Sequence, residues 1–595
     1  MFKKPLGPLD SKQKIKFFII IFALFISTFL ELFSIGIVPM ALIAILVPDK
    51  IPTFLTNIEF INNFFNSSAK DIMLLGSFFL LLTFVIKNFY LFILVIYEKL
   101  FLREINVNNS SNLFKFFMNS NLLFHLERNP SKLYNILTHV NSQYVEYIRC
   151  LILFIKEILI VISIFFLLFF FQPQSSSIIF SLFFLVATFY YLFFRKFLFN
   201  RGDIMRKYTA KQNRTVFDSL GSIKETKILK IEKYFTDKFF FETEQREVQK
   251  MFLEIIQSIP RLMIEILIVC FVILIFYFYH INNYPLNSFL PILSFYAISS
   301  VRLMPAFNSI VFTSTSLKFL TSSLDVINKE LASINYDSQL NASPPNQIKF
   351  ENQIILNNVS FRYPNTKLSA VNNVSLKINC GEIVAFIGKS GVGKSTLIDL
   401  ILGLHTPSQG QIFIDDKYLN DNVSSWLSLL GYVPQDIHIS DDSIISNIAF
   451  GIKEEDVNIE NVQESIKLAQ LDNFINNLPE GMYSKVGDKG KRISTGQKQR
   501  IGIARALYRK SKILILDEAT SSLDHETEKD FIKTVSQISK NKKITVIFIA
   551  HKLNTLKICD KLFLIDDGKL IDEGNYNEIM SQNAYIRDYY KDEKK

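Results

Sequence analysis

Up to about residue 325, apolar residues run together in stretches too long for a soluble core; beyond it, short apolar segments alternate with polar ones. Six long runs stand out, near 17–46, 72–97, 147–172, 176–198, 259–281 and 286–315. Each supplies the roughly 20 residues a helix needs to cross a bilayer. The connections near 173–175 and 282–285 are short and uncharged, whereas those at 98–146 and 199–258 are long, rich in Lys, Arg and Glu, and helical in period, as from Asn213 to Lys250. That alternation predicts six spans with both ends inside and the long segments projecting into the cytoplasm as helical extensions. The fold class expected is therefore an α-helical six-span domain over 1–325, a linker over 326–348 (polar, with Pro344 and Pro345), and an α/β P-loop domain over 349–595.

The first run follows Lys3, Lys4, Lys12, Lys14 and Lys16, as a signal peptide would, but it is too long for one and no small-residue cleavage site closes it. It is read as a retained span with a cytoplasmic amino terminus. The segment 51–65 places Phe, Leu and Ile at spacings of three and four with little charge. Two readings stand: a short amphipathic helix on the outer membrane surface, or a packed extracellular loop.

Composition adds a bias toward membrane, with 58 Phe and 49% hydrophobic residues. The net charge of +10 is what cytoplasmic Lys and Arg give a multispan protein; no nucleic-acid motif accompanies it. Cys150, Cys270, Cys380 and Cys559 lie far apart without CxxC spacing, forming neither a metal cage nor a disulfide framework.

Chemistry concentrates in the second half. The stretch GKSGVGKST, Gly388 to Thr396, follows the apolar run 383–387 and precedes Leu397, Ile398 and Leu400. This is GxxxxGK[ST] in a strand–loop–helix setting. Backbone N–H groups of Gly388, Lys389, Ser390, Gly391 and Gly393 can wrap phosphates, and a helix amino terminus adds a favourable dipole. Lys394 is expected on β/γ-phosphate oxygens, with Ser395 and Thr396 completing the cradle and Ser395 at a Mg²⁺ position. Downstream, ILILDEAT delivers Asp517 and Glu518 at the end of a buried strand, the first for Mg²⁺, the second as general base toward water.

With these elements the domain resembles the ATPases of ABC transporters: ISTGQKQR at 493–500 is similar to their signature, and GYVPQD, SSLD at 521–524 and IAHKL carry further matching positions. The six-span front end is similar to the exporter type. The resemblance implies adenine stacking by Tyr363, Mg²⁺ sensing by Gln435, and γ-phosphate contacts from Ser494, Gly496 and Gln497 of a second subunit. It further implies an interface role for Asp524, a γ-phosphate role for His551, and a cross-talk loop at VGDKG, 486–490. Thr495 departs from the family, which usually has glycine there. One chain holds one nucleotide domain, so a homodimer is expected, with a heterodimer as the alternative. ATP and Mg²⁺ are the implied cofactors. Segments Leu122–Glu127 and Phe217–Glu225 are candidate coupling helices.

Charges within spans mark cargo or structural pairs. Lys87, Arg261 and Arg302 suit an anionic head group, while Glu31 and Glu157 are acidic counterparts with which they could instead pair. PRLMIE, VRLMP, the basic Lys87 and the 51–65 loop resemble bacterial flippases for lipid-linked oligosaccharides. A pyrophosphate-linked glycolipid moved to the outer leaflet of a plasma (inner) membrane is the expectation. A second basic residue that this family carries after VRLMP is replaced by Asn308 and Ser309. An exporter of peptides, lipids or hydrophobic drugs is the alternative, although an amino-terminal protease domain of the peptide-exporter kind has no room before the first span. A non-pumping ATP-gated regulator is a further reading.

Overall fold

The computed structural model describes residues 4–46, 69–171, 173–281, 286–340, 348–364, 366–487, 493–520, 525–550 and 552–582. The chain forms two compact units: one is Met1–Ser120 with Arg128–Asn341, the other Asn121–Glu127 with Ala342–Lys595. The segment 51–65 lies outside the described residues.

In the first unit one long helix covers each apolar run: α1 (Ser11–Leu46), α2 (Ala69–Asn119), α3 (Asn141–Phe171), α4 (Pro173–Gly221), α5 (Glu232–Ile281) and α6 (Leu286–Leu340). Among the described residues Ser11–Ile37, Ser77–Asn119 and Pro130–Phe170 are long and apolar enough to cross a membrane, and Tyr296–Thr321 with Ser323–Ala332 passes as a pair bent by 46°. Helix α1 shows how such a helix is sided. Phe17, Ile20, Leu24, Ser27 and Glu31 are buried, and Phe18, Phe22, Phe25, Phe29 and Phe33 are exposed, each set recurring every three or four residues. Its hydroxyls return to their own helix, Ser27 donating to Leu24 O at 2.7 Å and Ser34 to Leu30 O at 2.9 Å, which satisfies them where water is scarce.

Polar pins join the helices. Tyr90 of α2 donates to Ala23 O of α1 at 2.8 Å, and Asn141 of α3 donates to Asn106 Oδ1 and Ser110 Oγ of α2, both at 2.8 Å. Helices α4 and α5 pair through Thr215–Glu242 and Gln212–Thr243, each at 2.8 Å. An apolar cluster of Ile35, Ile160, Ile164, Leu168, Tyr296, Leu303, Ala306 and Phe307 binds α1, α3 and α6. Helix α6 continues as far as Leu340, into the stretch read as a linker from 326. Burial of Leu320, Leu324 and Ile327 at helical spacing explains this extension, while Asn328 and Lys329 supply the polar character.

The second unit holds two sheets. Strands β1 (Gln353–Phe361), β2 (Val371–Asn379), β4 (Gln409–Ile414) and β5 (Lys417–Tyr418) form an antiparallel sheet in the order β2-β1-β4-β5. A six-stranded sheet runs β10-β9-β3-β8-β7-β6, with β3 (Ile383–Ile387), β6 (Leu430–Val433), β7 (Ile513–Asp517), β8 (Thr545–Ile549), β9 (Lys561–Asp566) and β10 (Lys569–Gly574). All its pairings are parallel except β9–β10. Alternate residues serve opposite cores: Ala385, Leu514, Val546 and Leu562 face one cluster; Phe386, Ile515, Ile547 and Phe563 the other. A sheet covered on both faces needs the near-continuous apolar strands seen in the sequence. The short helix Leu122–Glu127 belongs to this unit, where Leu123 packs on the second cluster. The other coupling candidate, Phe217–Glu225, ends α4 and begins the helix Ile223–Leu229 in the first unit, with Phe217 and Leu220 exposed.

Candidate functional site

Strand order creates the site. Because β8 lies between β3 and β7, the loops leaving β3 and β7 flank a single strand end. Phe386 pairs with Ile549, and Ile549 with Asp517, so the Gly388 loop and the Asp517–Glu518 corner leave the sheet at one level. Open parallel sheets bind ligands at their carboxyl ends.

The loop from Gly388 leads into α7 (Lys394–Ile401), capped by Gly393. Gly388 has φ 144°, and a Cβ there would stand 2.1 Å from the Ile565 carbonyl oxygen. Gly391, at φ 83°, faces open space, so glycine is required there for backbone conformation alone. Lys394 is buried, its Nζ donating to the carbonyls of Gly388 at 2.8 Å and Lys389 at 2.7 Å, which turns the ammonium into the bowl of the loop. Burial lowers its pKa; the negative charges of Glu518 and Asp517 oppose that fall. Lys389, Ser390, Gly391 and Ser395 are exposed along the rim, and Thr396 is buried. Tyr363 is half-buried, its hydroxyl 3.1 Å from Thr396 Oγ1, its ring edge-on to Phe361 and His405.

Glu518 sits at φ 48°, in the left-handed region, with its N–H donating to Ile549 O at 3.2 Å. For a non-glycine residue this conformation is strained, and strain of this kind collects at functional corners. Gln435 Nε2 donates to Glu518 Oε2 at 2.9 Å, leaving the amide oxygen of Gln435 for another partner. Tyr432 donates to Asp517 Oδ2 at 3.1 Å. Burial, followed by the repulsion of Glu518, raises the Asp517 pKa, and the Tyr432 hydrogen bond lowers it. A metal fits here by the chemistry of its donors: the Ser395 hydroxyl, the Gln435 amide oxygen and the Asp517 carboxylate are the hard oxygen ligands Mg²⁺ takes together with phosphate oxygens.

Ser494 caps α8 (Thr495–Tyr508) in a reciprocal box with Gln497: Gln497 N–H donates to Ser494 Oγ at 3.3 Å, and Ser494 N–H to Gln497 Oε1 at 2.8 Å. Thr495 is its exposed first residue, followed by half-buried Gly496. Asp524, His551 and 488–492 of the VGDKG neighbourhood lie outside the described residues.

Three residues near this site escaped sequence reasoning. Tyr432 grips Asp517 as above. Asp399 follows Ser395 by one turn of α7, and burial, with the Asp517 charge, pushes its carboxyl up to about 6. His405 is buried, stacked on Phe361 at 4.8 Å, and its Nε2 lies 3.9 Å from Asp399 Oδ2. The i,i+4 spacing of Ser395 and Asp399 was the only available signal for the second of these.

In the first unit Arg302 meets a carboxylate: Nε lies 2.6 Å from Glu31 Oε1, and Nη2 donates to Glu31 Oε2 at 3.3 Å. Lys87 Nζ sits 4.2 Å from the centroid of the Phe84 ring and feels the charges of both Glu31 and Arg302. Arg261 lies on α5 with its side chain outside the described residues.

A phosphate-cradling loop, an acidic strand end and a capped signature helix on one doubly covered sheet define a P-loop nucleotide-binding domain following a helical membrane-type unit. Residues 371–521 match the family model described as ABC transporter, so this unit carries an ABC transporter domain. Across the whole chain the fold is that of an ABC exporter: a bacterial Atm1-family ABC exporter with ATP bound superposes with a TM-score of 0.72, covering 98% of both chains at 18% identity. The ATP-dependent lipid A-core flippase of Salmonella paratyphi A is 36% identical over 235 residues, 39% of this chain and 40% of that protein. The ATP-dependent lipid A-core flippase 2 of Colwellia psychrerythraea is 38% identical over 239 residues, 40% of each. The matched stretch thus spans about two-fifths of the length of these relatives.

Proposed function

We propose that this chain is one half of an ATP-driven exporter that moves a lipid carrying an anionic glycan-linked head group across the membrane. One observation carries the reading: Lys394, Asp517, Glu518 and Gln435 converge at neighbouring strand ends, with Gln435 bonded to Glu518 at 2.9 Å. In this reading Lys394 and the loop N–H groups hold the β/γ-phosphates, and Tyr363 stacks on adenine. Ser395, Gln435 and Asp517 would hold Mg²⁺, which supplies charge neutralisation on the phosphates. Glu518 polarises the attacking water, and the Gln435 hydrogen bond fixes which of its oxygens faces that water.

Ser494, Gly496 and Gln497 of a second copy complete each site, with Asp524 and His551 in the roles the family resemblance gives them; a heterodimer would use the same parts. Nucleotide favours the closed pair and hydrolysis releases it, a population shift. We assign a helical membrane domain that α6 carries to Leu340 and a nucleotide-binding domain over 349–595, with a cytoplasmic ATPase beside an inner membrane. The relatives named as lipid A-core flippases support a lipid cargo; exporters of peptides or hydrophobic drugs remain the competing class.

Purified protein in vesicles, given a labelled glycan-pyrophosphate lipid beside a panel of hydrophobic drugs, tests the cargo. For the chemistry, Glu518→Gln should lower phosphate release by about a thousandfold and trap ATP. Unchanged phosphate release in that variant removes Glu518 as the base.

A further inference from the structure

From the Arg302 geometry we infer that Glu31 is a resident competitor for the cargo's anionic head group, holding Arg302 until the head group displaces it. This rests on the reading that the cargo is an anionic lipid. Glu31 on α1 and Arg302 on α6 are in contact beside one apolar cluster, and Lys87 on α2 and Glu157 on α3 both lie within reach of the charges of that pair. Glu31 lies one turn before Ile35, Glu157 one turn before Ile160, and Arg302 adjoins Leu303, all three apolar residues being members of the α1–α3–α6 core. Glu157 is 7% exposed and feels the charge of Lys156 first, then those of Arg302 and Glu31.

Lys156 of α3 joins these four as a third cation beside Glu157, so the cations outnumber the carboxylates. A site meant to hold an anion permanently would keep its cations open, yet both Glu31 oxygens already face the Arg302 guanidinium. One hydrogen bond from Nη2 and a close Nε–Oε1 ion-pair contact occupy the guanidinium edge that an Arg offers a phosphate, so one ligand excludes the other. The side chain of Glu31 is 12% exposed and that of Arg302 30%, which leaves the arginine the more approachable partner. Exchange of Glu31 for a head group conserves the charge balance of Arg302, so the arginine is never left bare in an apolar surround. Return of Glu31 then helps expel the cargo once it has moved.

Competition of this kind lowers apparent affinity by the fraction of time the arginine is free. With the pair closed about nine-tenths of the time, Glu31→Gln should lower the half-maximal lipid concentration about tenfold. The test uses the full chain in phosphatidylcholine vesicles, reading ATP hydrolysis against added prenyl pyrophosphate, with phosphatidylglycerol as a separate arm to distinguish a prenyl-linked anion from an ordinary acidic lipid. A leftward shift for E31Q in whichever arm stimulates supports the inference. Equal half-maximal concentrations for E31Q and wild type overturn it and leave the anionic-cargo reading standing. If neither protein responds to either anion, that reading falls and the inference with it. Should E31Q fail to fold, Glu31→Asp, too short to keep both contacts, should still shift the curve left by a few fold; no shift overturns the proposal. The double variant E31Q/R302Q, neutral again, should fold and lose the response. A double variant that responds like wild type makes the pair structural only and sinks the idea.

Discussion

The two units spend their aromatic residues in opposite ways. In the nucleotide unit Phe386, Phe548 and Phe563 are fully enclosed, and Phe386 stacks on Phe563 at 5.3 Å. Along α1 of the other unit Phe18, Phe22, Phe25 and Phe29 turn outward, Phe22 at 68% exposure. A soluble surface does not tolerate such a stripe, and a lipid-facing one requires it. Burial therefore sorts residues differently in the two halves: in the nucleotide unit it encloses these aromatics, whereas along α1 it takes in Phe17, Ile20 and Leu24 together with the polar Ser27 and Glu31.

That contrast can be broken by a matched pair of truncations. Phe386→Ala should cost the nucleotide unit about 3–5 kcal/mol, the price of a cavity at a fully buried aromatic. Trp426, the only tryptophan, is buried in that unit with its indole N–H on Ile401 O at 2.8 Å, so its fluorescence reports the loss directly. Phe22→Ala should change the heat tolerance of the lipid-reconstituted protein by less than about 1 kcal/mol. An equal loss at both positions would show that the outward face of α1 packs on protein.

Much of the nucleotide unit was legible because its chemistry depends on residues close in sequence. Gly388 to Thr396 must wrap one phosphate chain, and Asp517–Glu518 must end one buried strand. Signals that depend on strand or helix neighbours were not legible: the contact of Tyr432 with Asp517 follows from β6 lying beside β7. Likewise Glu31 and Arg302 are 271 positions apart, and sequence alone left open whether Arg302 met a carboxylate or a cargo. Polar composition from 326 predicts a linker, yet α6 runs on to Leu340 because Leu324 and Ile327 keep its helical spacing.

A smaller effect separates buried from exposed acids inside the nucleotide unit itself. The Asp399 carboxyl titrates near 6, raised chiefly by burial, against roughly 3.9 in an unfolded chain. The folded state then binds more protons between those values, so the stability this group contributes is present below about pH 4 and lost as pH rises through about 6. Asp399→Asn removes the ionised, partly buried carboxylate, whose side chain is 24% exposed. At pH 8 the variant should be more stable by about 1–2 kcal/mol after allowance for solvent screening, and the gain should vanish near pH 4. Melting curves followed by Trp426 at both pH values check this; a gain independent of pH would assign the effect to packing instead.

Exposure in the nucleotide unit has its own meaning at Thr495, the first residue of α8. Its Cβ stands on the helix end that, in the proposed dimer, approaches the phosphates of the partner's nucleotide. Replacement by glycine trades two effects. Glycine at a first helical position costs little, because the Ser494–Gln497 box already satisfies the helix start. Removing the Cβ lets the backbone N–H groups approach an anion more closely. Thr495→Gly should therefore leave the Trp426 melt within about 0.5 kcal/mol of wild type while raising ATP turnover about threefold. A fall in turnover with an unchanged melt would show that the threonine side chain itself helps hold the phosphate, making the departure from glycine a gain of contact instead of a hindrance.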